Sequence, residues 1–248
     1  MTTNEFADED GLPLDEVGVW AKEKHERLLR YIDISRAARR KLVEGSGGAT
    51  YIDLFCGAGR AAIHETGEII DGSPLIAFKC ARAGGVPFTE IHIADFDEKK
   101  VSSAASRITK VGGSAKSYVG QAARTAGQIV EHLNPYGLHF AFLDPFNLDD
   151  LPFSVIETLS QLKRVDLLIH VSAQDLQRNW TPIQNRKTVR WITLPQDGET
   201  QLISSKHNRL HVLPTLHIGH RKWNNSGCHL RGVLNWSQDQ RKINDYIG

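Results

Sequence analysis

Two glycines and an aspartate near position 55 stand where a bound cofactor would meet them. In Tyr51-Ile52-Asp53-Leu54-Phe55-Cys56-Gly57-Ala58-Gly59-Arg60 a short apolar strand runs into a two-glycine turn, with the acid inside the strand. Gly57 and Gly59 permit backbone angles closed to other residues and let a ligand approach the main chain closely. A turn outside the carboxyl end of a parallel strand is where open α/β sheets bind ligands. Gly57, Gly59 and Ala62 also match the dinucleotide spacing G-x-G-x-x-G/A. Two features speak against NAD. Asp53 sits in a strand that dinucleotide sites keep apolar, and the polar stretch His64-Glu65-Thr66-Gly67-Glu68 delays the following helix. A carboxylate beside such a turn favours a positively charged ligand at short range.

Two more strand ends carry acids. Thr89-Glu90-Ile91-His92-Ile93-Ala94-Asp95 reads as a second strand, and an acid ending that strand accepts hydrogen bonds from ribose hydroxyls in nucleotide-binding βαβ units. Asp95 is the candidate, with Asp97 in reserve. Asp95-Phe96-Asp97-Glu98 also fits a simple helix cap. Leu138-His139-Phe140-Ala141-Phe142-Leu143 is a buried strand ending in Asp144-Pro145-Phe146. Pro145 suits a plain strand terminator, and Asp144 and Phe146 beside it are candidates for a role at the strand end. Gln121 follows a third strand at Ala115–Val119 and is placed to reach an adenine amine.

The elements that position these residues alternate. A helix starts at Gly72-Ser73-Pro74-Leu75, with Ser73 as expected N-cap and Pro74 in the first turn, and ends at Gly84-Gly85. Helices at Ala122–Leu133 and Phe153–Lys163 and a fifth strand at Val165–Val171 follow. This alternation predicts an α/β fold with a doubly wound, mostly parallel sheet. Ahead of it lie acidic residues (Glu5, Asp8, Glu9, Asp10, Asp15, Glu16) and a helical face at Trp20, Leu28, Tyr31 and Ile32. That helix has a basic end at Arg36, Arg39, Arg40 and Lys41, which suits a helix C-terminus. The expected organisation is an acidic N-terminus and basic helix over 1–48, the α/β domain over 49–203, and an atypical segment over 204–248.

Composition narrows the class. The 248 residues have a formal net charge of +1 and no apolar run of a membrane span's length of about 18. Met1-Thr2-Thr3-Asn4-Glu5 lacks the pattern of a signal peptide, so the expected location is cytoplasmic. Cys56, Cys80 and Cys228 form no C-x-x-C pair, and no metal site is expected. The Walker lysine, H-E-x-x-H and G-x-S-x-G motifs are absent.

Asp53-x-Phe55-x-Gly57-x-Gly59 resembles the first motif of S-adenosylmethionine-dependent methyltransferases, and Asp144-Pro145-Phe146 is similar to the D/N-P-P-Y/F motif of amino-group methyltransferases, one proline short. The set as a whole resembles the three-Cys-motif partner proteins, TcmP: the YIDLF strand and turn, Gly72–Leu75, Asp95, Asp144–Phe146 and Asp166–Ile169 occur in that order over roughly residues 20–180. The resemblance implies a methyltransferase-like Rossmann domain binding S-adenosylmethionine through Asp53, Phe55, Gly57, Gly59, Asp95 and Gln121, with Asp144, Pro145 and Phe146 facing an amino group. It also implies a separate partner protein that carries the three cysteines. Asn147 stands where the family usually has glycine.

Two further stretches fall outside the resemblance. Arg178, Trp180, Arg186, Lys187 and Arg190 form a basic cluster. The end of the chain carries His207, His211, His217, His220, His229, Trp223 and Trp236, with a late strand expected at Leu210–Leu213. Basic residues interleaved with aromatics suit single-stranded nucleic acid. Two functions are therefore expected: methyl transfer to an amino group, with nucleic acid as acceptor, or a non-catalytic binding module acting with the three-cysteine partner.

Overall fold

Short apolar runs punctuated by glycine and proline give strands, and the longer runs with helical spacing pack over them. The computed structural model describes residues 8–172 and 209–215. In chain order the elements are β1 (Asp15–Val17), α1 (Ala21–Ile34), α2 (Arg36–Glu44), β2 (Ala49–Asp53), β3 (Arg60–Ile63), β4 (Ile69–Asp71) and α3 (Ser73–Ala83). They continue with β5 (Glu90–Asp95), α4 (Glu98–Lys110), β6 (Lys116–Val119), α5 (Ala122–Val130), β7 (Leu138–Leu143), α6 (Phe153–Ser160), β8 (Val165–Ser172) and β9 (Arg209–Thr215). The chain divides into two compact units, and every described residue belongs to the first. The basic cluster at 178–190 and the histidine- and tryptophan-bearing segment from 216 onwards lie outside the described residues. The late strand expected at Leu210–Leu213 is present as β9.

The main sheet has the order β6-β5-β2-β7-β8-β9, and all its pairings are parallel. This is a doubly wound, Rossmann-like fold. The chain winds outward from β2 to β6, then returns to place β7 on the other side of β2. The crevice at the carboxyl ends of β2 and β7 is therefore the topological switch point, where such sheets bind ligands.

One face of the sheet presents Tyr51, Ile91, Ile93, Phe140, Phe142 and Leu168 to Leu28 and Ile32 of α1, Leu75 and Ala81 of α3, and Val101, Ala104 and Ile108 of α4. Side chains alternate along a strand. The same face, carried two residues past Tyr51, Phe142 and Leu168, therefore holds Asp53, Asp144 and His170. The fold thus sets three ionisable groups on one face at the crevice, with Asp144 level with His170 and Asp53 one side-chain step before them.

The stretch between the turn and α3 is ordered differently from the expected excursion. β3 and β4 pair antiparallel, and β1 adds to β3 in parallel, with Asp15 opposite Ala61 and Val17 opposite Ile63. The N-terminal acidic segment is thus tied to the residues just after the glycine turn. The basic end of the first helical region also differs. Ser35 breaks it into α1 and α2, and Arg39 is buried, donating to the carbonyls of Ile32 and Val86 and to Ser35 Oγ. One of those carbonyls belongs to the last turn of α1, so the charge serves a helix C-terminus from the following helix.

The turn glycines are required by their surroundings. Gly59 has φ +84°, and a Cβ there would stand 2.9 Å from the Ala104 Cα of α4. Gly67, at φ +71°, has open space around it. Gly67→Ala is expected to destabilise the protein by about 1 kcal/mol, the strain of a left-handed residue alone. Gly59→Ala adds a clash against backbone and is expected to lose about 3 kcal/mol or more. Urea unfolding of both variants checks the difference.

Candidate functional site

Asp53 ends β2 with no exposed surface. Its Oδ2 accepts the Tyr51 hydroxyl at 2.9 Å and the Ser73 hydroxyl at 2.6 Å, and its Oδ1 accepts the Phe55 amide at 3.2 Å. One carboxylate thus joins the strand, the turn and the first residue of α3. Ser73 does not cap that helix as expected. Gly72 takes the cap position with extended angles, because the Ser73 hydroxyl is drawn to the buried acid. Burial raises the Asp53 carboxyl to about 7, against the three donors that favour its charged form.

The glycine turn itself is satisfied by the protein at four successive amides. Phe55 donates to Asp53, Cys56 to the Ala94 carbonyl, Gly57 to Asp95 Oδ2 at 3.0 Å, and Ala58 to Asp15 Oδ2 at 2.6 Å. Asp95 is the residue expected at the ribose. It ends β5 and is partly exposed, and its Oδ1 accepts the Asp97 amide at 3.1 Å. The cap of α4 is Asp97, which accepts the Lys99 amide. The cap that the sequence left open between the two acids thus falls to Asp97, while Asp95 accepts the Gly57 and Asp97 amides. Burial raises the Cys56 thiol above its ordinary value.

Asp144 lies just beyond β7. Its Oδ2 is ion-paired with Lys24 and its Oδ1 takes the His170 Nδ1 at 2.7 Å. Burial opposes its ionisation, but the Lys24 ammonium and His170 outweigh it and hold the carboxyl below the usual range. Lys24 stands one helical turn before Leu28 on the buried stripe of α1, so the packing that buries α1 delivers an ammonium to the strand end. The Trp20 ring completes the cluster, stacked on His170 with centroids 6.0 Å apart and with Lys24 Nζ 4.9 Å from its own centre. His25 is brought down to about 4 by burial and then by the charge of Lys24, and is neutral at physiological pH.

The remaining expected residues are at the same end of the sheet. Pro145 is half-buried and Phe146 is 92% exposed. Gln121 is exposed at the N-cap of α5. Phe55 lies in the turn, half-buried. Sequence reasoning missed Asp15, Lys24, Arg107, His170 and Phe96. Phe96, 76% exposed, is an aromatic between two acids directly after Asp95, and that setting was its available signal. Among the described residues no group of His, Cys, Asp and Glu side chains is arranged to hold a metal ion, and no helix is long and apolar enough to cross a membrane.

Fold and site together define a Rossmann-like α/β protein with an acidic, glycine-containing turn at the switch point of its sheet. No protein-family model matches the chain, and no curated protein matches it.

The raised Asp53 carboxyl has a signed consequence. The group titrates near 3.8 when unfolded and near 7 when folded. Its contribution to stability is fully present below about pH 4, where both states are protonated. It is lost as pH rises towards 7, because only the unfolded state then releases the proton. Three pH units correspond to about 4 kcal/mol. Asp53→Asn is expected to remove that much of the fall in unfolding free energy between pH 4 and 7, measured by urea titration at each pH.

Proposed function

We propose that this chain is a methyltransferase-like protein that binds S-adenosylmethionine across the turn Phe55–Gly59. The observation that carries the reading is that acidic side chains of the sheet already hold the turn. Asp53 lies beneath it and Asp95 beside it, accepting the Phe55 and Gly57 amides. A pyrophosphate needs a run of free amides and no neighbouring anion. Here it would meet amides already engaged and the partly exposed Asp95 carboxylate beside them. A ligand carrying a sulfonium and an ammonium meets favourable charge instead.

Asp95, ending β5, is placed for the ribose hydroxyls, and the exposed ring of Phe96 beside it offers a face to the adenine. When bound, the cofactor would supply an electrophilic methyl group to a nitrogen lone pair, with the sulfur keeping the bond's electrons as a thioether and the nitrogen losing a proton to solvent. The chain's part is to orient the two groups and exclude water, with no nucleophile of its own. Phe146 offers an aromatic acceptor a stacking face just beyond β7. A nucleic-acid base with an exocyclic amine fits that description. The order of the turn, the Gly72–Leu75 helix start, Asp95, Asp144–Phe146 and Asp166–Ile169 supports membership of the three-Cys-motif partner proteins, and with it a three-cysteine partner.

A second reading has its own support. Both Asp144 oxygens are engaged by Lys24 and His170 inside the protein, rather than offered to an acceptor amine. A non-catalytic module that works through its three-cysteine partner accommodates this arrangement.

Titration calorimetry with S-adenosylmethionine is expected to give saturable binding that Asp95→Ala weakens by roughly tenfold to a hundredfold, the worth of charge-assisted hydrogen bonds. Absence of heat from the protein, both alone and with a three-cysteine partner, removes the reading. With binding established, Phe146→Ala is expected to lower methyl transfer to single-stranded nucleic acid by about tenfold. Cofactor binding with no transfer to any acceptor supports the non-catalytic module.

A further inference from the structure

The fourth amide of the turn is treated differently from the others. Phe55, Cys56 and Gly57 donate to groups of the central sheet, whereas Ala58 donates to Asp15, which comes from β1 in the N-terminal segment. The second oxygen of Asp15 pairs with Lys100 Nζ at 2.8 Å. Lys100 stands in the first turn of α4, the helix that follows the strand ending in Asp95. A backbone amide and an ammonium therefore grip one carboxylate on the surface of the glycine turn. We propose that Ala58 N–H and Lys100 Nζ form a carboxylate subsite for the amino-acid end of the cofactor, and that Asp15 fills this subsite until the cofactor's own carboxylate displaces it. This rests on the reading of the turn as a site for S-adenosylmethionine.

Sterics require the exchange. A Cβ built on Gly57 would collide with the Asp15 carboxylate, so the open face of that glycine is the face Asp15 covers. A ligand lying against Gly57 and Asp15 cannot be there together. The incoming carboxylate takes over the same two donors, so no buried donor is left without an acceptor.

The segment that carries Asp15 is built for release. Among residues 8–17 only Asp8 is buried, and no apolar side chain of the segment is. Its attachment is polar. Arg107 grips both Asp10 oxygens at 2.9 Å and donates to the carbonyls of Pro13 at 2.8 Å and Leu12 at 3.2 Å, while Arg60 pairs with Asp8. Arg107 also donates to the Ala58 carbonyl at 2.8 Å, so one guanidinium ties the strap to the turn it covers. Segments held by hydrogen bonds and ion pairs without buried apolar area open at lower free energy than the core. The next element, α1, stays in place, because Ala21, Leu28 and Ile32 have no exposed surface.

The test compares two ligands on the full chain: S-adenosylmethionine, and 5′-methylthioadenosine, which has the nucleoside but no amino-acid end. Asp15→Ala vacates the subsite, and Asp10→Ala loosens the strap without touching it. Both are expected to bind S-adenosylmethionine roughly tenfold more tightly than the wild type, with 5′-methylthioadenosine changed less than twofold. Lys100→Ala is expected to weaken S-adenosylmethionine alone. Unchanged or weaker binding of S-adenosylmethionine by Asp15→Ala overturns the subsite, as does an equal change for both ligands. If the wild type and all variants bind neither ligand, the cofactor reading itself falls. Loss from the subsite alone leaves wild-type binding of both ligands intact, so the two failures are distinct.

Discussion

Carboxylates, not free space, hold the glycine turn of this protein. Asp53 from below, Asp95 from the side and Asp15 from above each accept one of its amides. A backbone amide accepted by a carboxylate is held by a charge-assisted bond, stronger than one between neutral groups. The turn is therefore tied on three sides before any ligand arrives.

One face of the sheet organises the rest of the crevice. Asp53, Asp144 and His170 share a sheet face with the apolar residues two positions earlier, so the core and the crevice are built by one alternation. The helices that bury the apolar part supply the polar counterparts. Ser73 reaches Asp53 from α3, Lys24 reaches Asp144 from α1, and Tyr31 of α1 donates to Asp166 on β8 while stacking on Phe140 with centroids 4.2 Å apart. The strand ends and the start of α3 are thus physically linked. The strand Tyr51–Asp53 is tied to Gly72–Leu75 through the Ser73 hydroxyl, and Asp144 is tied to β8 through His170, two strand positions past Leu168.

Much of this was legible from the sequence. Period-two and helical spacing located β2, β5, β7, β8 and the helix starting at Gly72, and the acids at the strand ends pointed to the crevice. What stayed hidden was every contact between distant segments. Lys24 and Asp144 are 120 positions apart, and Asp15 and Ala58 are 43 apart. A lysine on an amphipathic helix carries no local mark that it will be buried against an acid. Likewise, an acidic N-terminal stretch reads as a solvated tail until Arg107 is known to bind it. Ser73 shows the converse. Its position before Pro74 is a good local cap signal, yet a buried carboxylate within reach outweighed the cap.

The central claim is that the turn is a site for a cationic ligand. Backbone amide shifts of the labelled protein, recorded with S-adenosylmethionine and with NAD at equal concentration, test it most directly. The account predicts that S-adenosylmethionine moves the amides of Phe55, Gly57, Ala58 and Asp95 while NAD leaves them in place. Movement of those amides by NAD, with none by S-adenosylmethionine, would contradict it.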